Sequence, residues 1–203
     1  MKLYYMAGAC PLATHITLKW IGQPFEARKL SRDELKQPDF LALNPMGQVP
    51  VLVHDDLVLT QSAAILEYVA ELHPEADLAG ATPVERAETR RWLAFCNADL
   101  HRTFGILFAA PSFVADAEGQ AELIANTRAK LEGIFKVADA QLSGKDWLTG
   151  KRSIADPYLY TLLRWARGKE LDLAGCRNLQ GFFERMSADK GVRSALQEQG
   201  LDV

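Results

Sequence analysis

Lys2-Leu3-Tyr4-Tyr5-Met6-Ala7-Gly8-Ala9-Cys10-Pro11-Leu12 is a short apolar strand, a turn of small residues and the opening of a helix. Pro11 suits the first helical position, where its missing N–H would have had no partner. The helical pattern runs to about Ile21, and Gly22 stops it. Outward from this pair, Phe25 to Leu30 reads as a second strand, and the polar residues 31–39 as a loop or irregular helix. Gln48 to Val53 and Leu57 to Thr60 are strand-like, with Asp55-Asp56 as the hairpin turn between them. Ser62 to Leu72 carries Ile65, Leu66, Val69 and Leu72 at helical spacing, and Pro74 ends it. Residues 1–78 are therefore expected to form one compact α/β unit.

Beyond residue 78 the strand signal vanishes, and Ala79-Gly80-Ala81 reads as a linker to an all-helical domain over 82–203. Thr82-Pro83-Val84-Glu85 combines an N-cap Thr, a Pro at the first position and a Glu at the third, which is a capping box. The helix that follows sets Trp92, Phe95, Cys96 and Leu100 along one side. A second runs from about Glu118 to Leu142, with Leu131, Ile134, Phe135, Ala138 and Leu142 inward and Gly144 at its end. Ser153-Ile154-Ala155-Asp156 is another capping box, opening a helix that is apolar on nearly every side, as the centre of a bundle must be. Leu179 to Met186 and Val192 to Gln199 close the domain.

Composition excludes several functions. With 48% hydrophobic and 24% charged residues the chain can bury a core and stay in solution, and a net charge of −3 without a Lys/Arg cluster offers nothing to nucleic acid. No segment is apolar enough to span a bilayer, and the N-terminus does not read as a signal peptide. Three widely spaced cysteines, Cys10, Cys96 and Cys176, lack metal-ligand spacing and suit a reducing compartment, the cytoplasm, rather than a disulfide framework.

Three segments can carry chemistry. Cys10 stands at or just before the N-cap of the first helix, where unpaired N–H groups favour a thiolate; a small buried unreactive cysteine is the equal alternative. Ala13 takes the place of a second cysteine, so any redox chemistry is of the single-thiol kind. Val49-Pro50 leads into a strand. A cis bond there would turn Val49 to pair with an extended peptide, against a trans bond as the commoner form, cis being about 5–6% of X-Pro bonds. At Thr60-Gln61-Ser62-Ala63-Ala64-Ile65 a strand ends and a helix begins, which makes either a carboxylate site or simple N-capping. Taken together, the three describe a short peptide with a free carboxylate and a sulfur, and glutathione fits.

These segments also carry a resemblance. Lys2-Leu3-Tyr4-Tyr5 through Gly8-Ala9-Cys10-Pro11-Leu12 with His15, then Asn44-Pro45-Met46-Gly47-Gln48-Val49-Pro50-Val51-Leu52, Thr60-Gln61-Ser62-Ala63-Ala64-Ile65 and Ser153-Ile154-Ala155-Asp156, resemble the bacterial beta-class glutathione S-transferases over essentially the whole chain. The resemblance implies a thioredoxin-like domain followed by a helical-bundle domain, assembled as a homodimer. It implies glutathione as co-substrate and small, partly hydrophobic electrophiles as partners, with no metal, nucleic acid or membrane. Val49 before a cis Pro50 would pair with the cysteinyl backbone of glutathione, Gln61 and Ser62 would hold its γ-glutamyl end, and Lys36, chosen over Arg32, its glycine carboxylate. Cys10 would lie beside the glutathione sulfur, and His101 would reach the site from the second domain. Tyr5 is a rival sulfur activator, with a core role as its alternative. Met6, Phe104 and Trp165 are expected to line the electrophile cleft, while Cys96 and Cys176 are structural. The implied activity is detoxifying conjugation, with thiol–disulfide or peroxide-reducing side activity through Cys10. The alternatives are a carrier of hydrophobic ligands and a glutaredoxin-like monothiol reductase.

Overall fold

The computed structural model describes residues 1–202. β1 (Lys2–Tyr5), β2 (Glu26–Lys29), β3 (Val51–His54) and β4 (Leu57–Thr60) form one sheet in the order β2-β1-β3-β4. β1 and β2 are parallel and the other pairs antiparallel. The parallel pair needs a crossover, supplied by α1 (Pro11–Ile21), whose C-cap Gly22 takes the left-handed conformation that glycine tolerates. β3 begins at Val51, later than the apolar run from Gln48 suggests, because Pro50 has no N–H to give the ladder. The stretch 31–39, read as loop or irregular helix, holds a 3₁₀ turn at Glu34–Lys36 and the first residues of a short helix, α2 (Pro38–Leu43), which continues beyond it. α3 (Ser62–Leu72) closes the domain.

The second domain contains α4 (Pro83–Ala94), α5 (Arg102–Phe108), α6 (Ala117–Gln141), α7 (Ala155–Gly168), α8 (Arg177–Ala188) and α9 (Lys190–Gln199). Thr82 and Glu85 form the expected capping box. α4 does not simply continue at 3.6 residues per turn: Phe95–His101 is a π-helical stretch that joins it to α5. Hydrophobic periodicity does not reveal such a wider turn, and π turns concentrate at functional sites. α7 is the buried centre, with every residue from Ala155 to Leu163 buried. Its start is fixed by Asp156, whose carboxyl accepts the N–H groups of Leu148 (3.0 Å) and Ser153 (2.7 Å) and the Ser153 hydroxyl (2.9 Å).

The domains share α1, which is buried from Pro11 to Leu18 and packs on α3, α7 and α9. His15 is fully buried at this junction, with Nε2 2.9 Å from Glu198 Oε2 and Nδ1 3.2 Å from Gln199 Nε2. The core therefore runs without interruption from Leu12 and Ile16 into Tyr158, Leu159 and Phe135.

Candidate active site

A cleft of about 1340 Å³ opens where the turns of the first domain face the π stretch and α5. Its floor starts at the β1–α1 turn. Gly8, at φ 73°, offers both of its peptide groups to the helical domain: its N–H donates to Gln199 Oε1 at 3.0 Å, and its C=O accepts from Trp165 Nε1 at 2.7 Å. The turn thus delivers Cys10 to the N-cap of α1, with its Sγ donating to the Val49 carbonyl at 3.6 Å.

Of the two readings open for Cys10, a helix-stabilised thiolate and a buried neutral thiol, its surroundings favour the second. Burial pushes the thiol up to about 11, and the Ser62 hydroxyl and the local backbone recover only part of this. Cys10 itself provides the N-cap in αR conformation, so its side chain caps no N–H. Desolvation wins over the helix terminus, and the group is a neutral thiol that donates a hydrogen bond.

Val49 sits before a cis peptide bond to Pro50 and outside the ladder, which begins at Val51. The turn preceding it is held by Asn44, whose Nδ2 donates to the Gln48 carbonyl at 2.6 Å and whose Oδ1 accepts from Met46 N–H at 3.1 Å. Gly47, at φ 60°, fits where a Cβ would meet the Leu35 carbonyl at 3.1 Å. Gln61 heads α3 at φ 72°, an unfavourable conformation for a residue with a side chain, and no side chain caps this helix. Thr60, Gln61 and Ser62 all line the cleft.

From the other side, the π stretch turns Asn97 and His101 into the cleft. His101 Nδ1 lies 2.6 Å from the hydroxyl of Tyr158, which donates to Asn97 Oδ1 at 3.0 Å. Burial lowers the His101 imidazole below its ordinary value and raises the Tyr158 phenol, so both are neutral near pH 7.

The cleft has an uneven charge: Arg32, Lys36 and Arg102 line it, and no Asp or Glu does so among the described residues. An acidic chain therefore carries a locally basic cleft, suited to an anionic ligand. Lys36 and Arg32 share one wall, so both stand as candidates for the carboxylate. Met6 lines the cleft as expected, but Phe104 and Trp165 do not. Phe104 is fully buried against Phe135, and Trp165 is turned to Gly8. Their places are taken by Ile106, Phe108 and Phe113, the two phenylalanines exposed by 48% and 62%. Tyr5, the rival activator, stands outside the cleft lining and in the core role that was its alternative: it is buried, and its hydroxyl donates to the Glu198 carbonyl at 3.4 Å, on α9. Cys96 and Cys176 are buried free thiols outside the cleft. Among the described residues no three His, Cys, Asp or Glu side chains gather as a metal site.

Two residues of the site escape a sequence reading. Tyr158 had a signal, since a hydroxyl inside an otherwise apolar central helix needs a partner. Asn97 had one too, standing four residues before His101 on the same helix.

Comparison with known proteins agrees with this geometry. Family models for the glutathione S-transferase N-terminal and C-terminal domains match residues 1–71 and 98–190. A glutathione S-transferase, GST-4.5, of Xanthomonas campestris pv. campestris is 45% identical, with all of both chains covered. The structure of a glutathione S-transferase from Xylella fastidiosa superposes with a TM-score of 0.96 at 46% identity, covering 99% of each chain. That of a bacterial beta-class glutathione S-transferase from Sphingomonas chungbukensis does so with a TM-score of 0.88 at 32% identity, covering both chains fully. Two matched domains and full-length relatives above 30% identity establish that the chain belongs to the glutathione S-transferases, in their bacterial beta class.

Proposed function

We propose that this transferase conjugates glutathione to small electrophiles with an apolar, partly aromatic body, and that the two ends of the cleft divide the work. The observation that carries this is the cleft itself. Val49, Gln61 and Ser62 line it together with Cys10 from the first domain, and exposed Phe108 and Phe113 line it from the second. Val49 pairs with the cysteinyl backbone of glutathione next to Pro50. Gln61, Ser62 and the open start of α3 hold the γ-glutamyl end, and Lys36, with Arg32 on the same wall, takes the glycine carboxylate. Cys10, as a neutral thiol, donates a hydrogen bond to the glutathione sulfur, which stabilises its thiolate. The proton of the glutathione thiol passes to His101 and on to water, while Cys10 keeps its own. The sulfur then bonds to the electrophilic carbon, and the leaving group departs with its electron pair. The protein acts as a cytoplasmic homodimer in this reading, supported by the exposed apolar residues Leu57 and Val58 on the sheet's edge strand.

Two activities test it: conjugation of glutathione to a chlorinated nitrobenzene, and reduction of a mixed disulfide, each for the parent and Cys10→Ala. Conjugation by the parent, reduced but not abolished in Cys10→Ala, is the expected result. Disulfide reduction without conjugation would instead make the protein a monothiol reductase. Turnover of neither, with tight binding of apolar dyes, would make it a carrier.

A further inference from the structure

We infer that Tyr158 and Asn97 are positioning residues that fix the tautomer of His101, presenting its Nε2 lone pair to the cleft as the acceptor of the glutathione thiol proton. The inference rests on the conjugation reading for the proton's origin, but its structural half stands alone. Tyr158 has one hydroxyl proton, and that proton goes to Asn97 Oδ1, an atom that can only accept, at 3.0 Å. The phenol oxygen therefore meets His101 Nδ1, 2.6 Å away, as an acceptor, so the imidazole must carry its proton on Nδ1. In a neutral ring this leaves Nε2 bare. Nε2 makes no hydrogen bond to any of the described residues and is not among their sealed, unpartnered side-chain atoms, so it opens on the cleft that His101 lines. T-shaped contacts with Tyr158 and Trp165, at 5.8 and 5.0 Å between centroids, hold the ring plane. The burial that keeps the imidazole neutral serves the same end, since a protonated ring could accept nothing.

The chemistry explains why such a base is needed. Cys10 is a protonated thiol and supplies a hydrogen bond but cannot take up a proton, while Tyr158 is held protonated by its surroundings. The proton moves from glutathione sulfur to His101 Nε2 and then to water in the open cleft, with the Nδ1–H bond to Tyr158 stabilising the imidazolium between the two transfers. This arrangement depends on the π turn, because Asn97 and His101 both lie within it.

The test is nitrogen NMR of histidine-labelled protein, in which His101 is assigned by the loss of its signals in His101→Gln, combined with steady-state kinetics. The parent is expected to show a protonated Nδ1 and an unprotonated Nε2. Asn97→Leu removes the acceptor of the tyrosine proton, which then turns to Nδ1 and drives the imidazole proton to Nε2. Asn97→Asp keeps an acceptor and restores the Nδ1–H form. With its lone pair on the wrong side, Asn97→Leu is expected to lose about a hundredfold in kcat, with KM for glutathione within about twofold of the parent. Tyr158→Phe is expected to lose the Nδ1–H preference; should it fail to fold, the two Asn97 variants decide alone. A parent bearing Nε2–H, or a tautomer unmoved in Asn97→Leu, overturns the inference. A parent that conjugates nothing overturns the functional reading instead, and the NMR result still decides the tautomer.

Discussion

Asp156→Ala strikes at the foot of α7. It removes the acceptor for Leu148 N–H, Ser153 N–H and the Ser153 hydroxyl, at a position with no solvent access. The hydroxyl can rotate to a new partner, but the two amides cannot, and each orphaned amide costs about 1–3 kcal/mol, or about 2–6 kcal/mol together. An opposing effect comes from the carboxyl itself, which burial raises from its ordinary 3.8 to about 6. Keeping it ionised at pH 7 costs the folded state about 3 kcal/mol, a cost that alanine does not carry. The two effects are of similar size at neutral pH, so the net loss there should not exceed about 3 kcal/mol. The sign of the pH dependence separates them. A carboxyl whose folded value lies above its unfolded one holds its proton more tightly when folded, so wild-type stability falls as pH rises from 3.8 through 6. The deficit of Asp156→Ala should therefore be about 1 kcal/mol larger at about pH 5 than at about pH 7. Urea unfolding of both proteins at several pH values, followed by tryptophan fluorescence, reads this directly. A deficit that stays constant, or that grows toward neutral pH, would refute the reasoning. Because α7 also carries Tyr158 and Trp165, the variant should bind glutathione more weakly as well.

Three further outcomes are expected. Gln199→Ala leaves Gly8 N–H without its partner, and should raise KM for glutathione several-fold while costing about 1 kcal/mol of stability, measured by kinetics and denaturation. Burial holds His15 below its ordinary 6.5 despite the opposing pull of Glu198. The unfolded chain therefore takes up its proton first as pH falls below 6.5, stability is lost in that direction, and the protection factors of α9 amides against hydrogen exchange should fall with acid in the parent but not in His15→Asn. Phe113→Ala, at an exposed cleft position, should shift the unfolding midpoint by no more than about 0.5 kcal/mol. It should nevertheless raise KM for an aromatic electrophile and leave KM for glutathione unchanged.

What the sequence made legible follows a physical pattern. Pro11, Gly22, Thr82 with Glu85, and Ser153 with Asp156 each act on their own turn of chain, and each is found where local chemistry put it. The strand–helix order over the first 72 residues followed from alternation and punctuation for the same reason. Two kinds of feature were hidden. The acidity of Cys10 depends on what buries it, so a helix-start argument left a thiolate and an unreactive thiol equally open, and only the packing tips it to the neutral thiol. The choice of cleft-lining aromatics depends on the phase of the helix, and the π turn at Phe95–His101 resets that phase. Phe104 then points into the core, and Phe108 stands at the opening. α2 was hidden for a milder reason: six residues burying only Phe40 leave too little pattern to read.

The hold on Gly8 makes the beginning of the chain wait for its end. Gln199, which receives the Gly8 amide, is synthesised 191 residues later. Until α9 has been made and docked, the turn that carries Cys10 lacks one of its two anchors, so a chain stalled during translation or clipped ahead of α9 holds that turn by Trp165 alone. Completion of the fold thus completes the grip on the turn that carries Cys10. An exchange of helical domains between relatives would give working enzymes only where the incoming domain brings its own counterparts of Trp165 and Gln199.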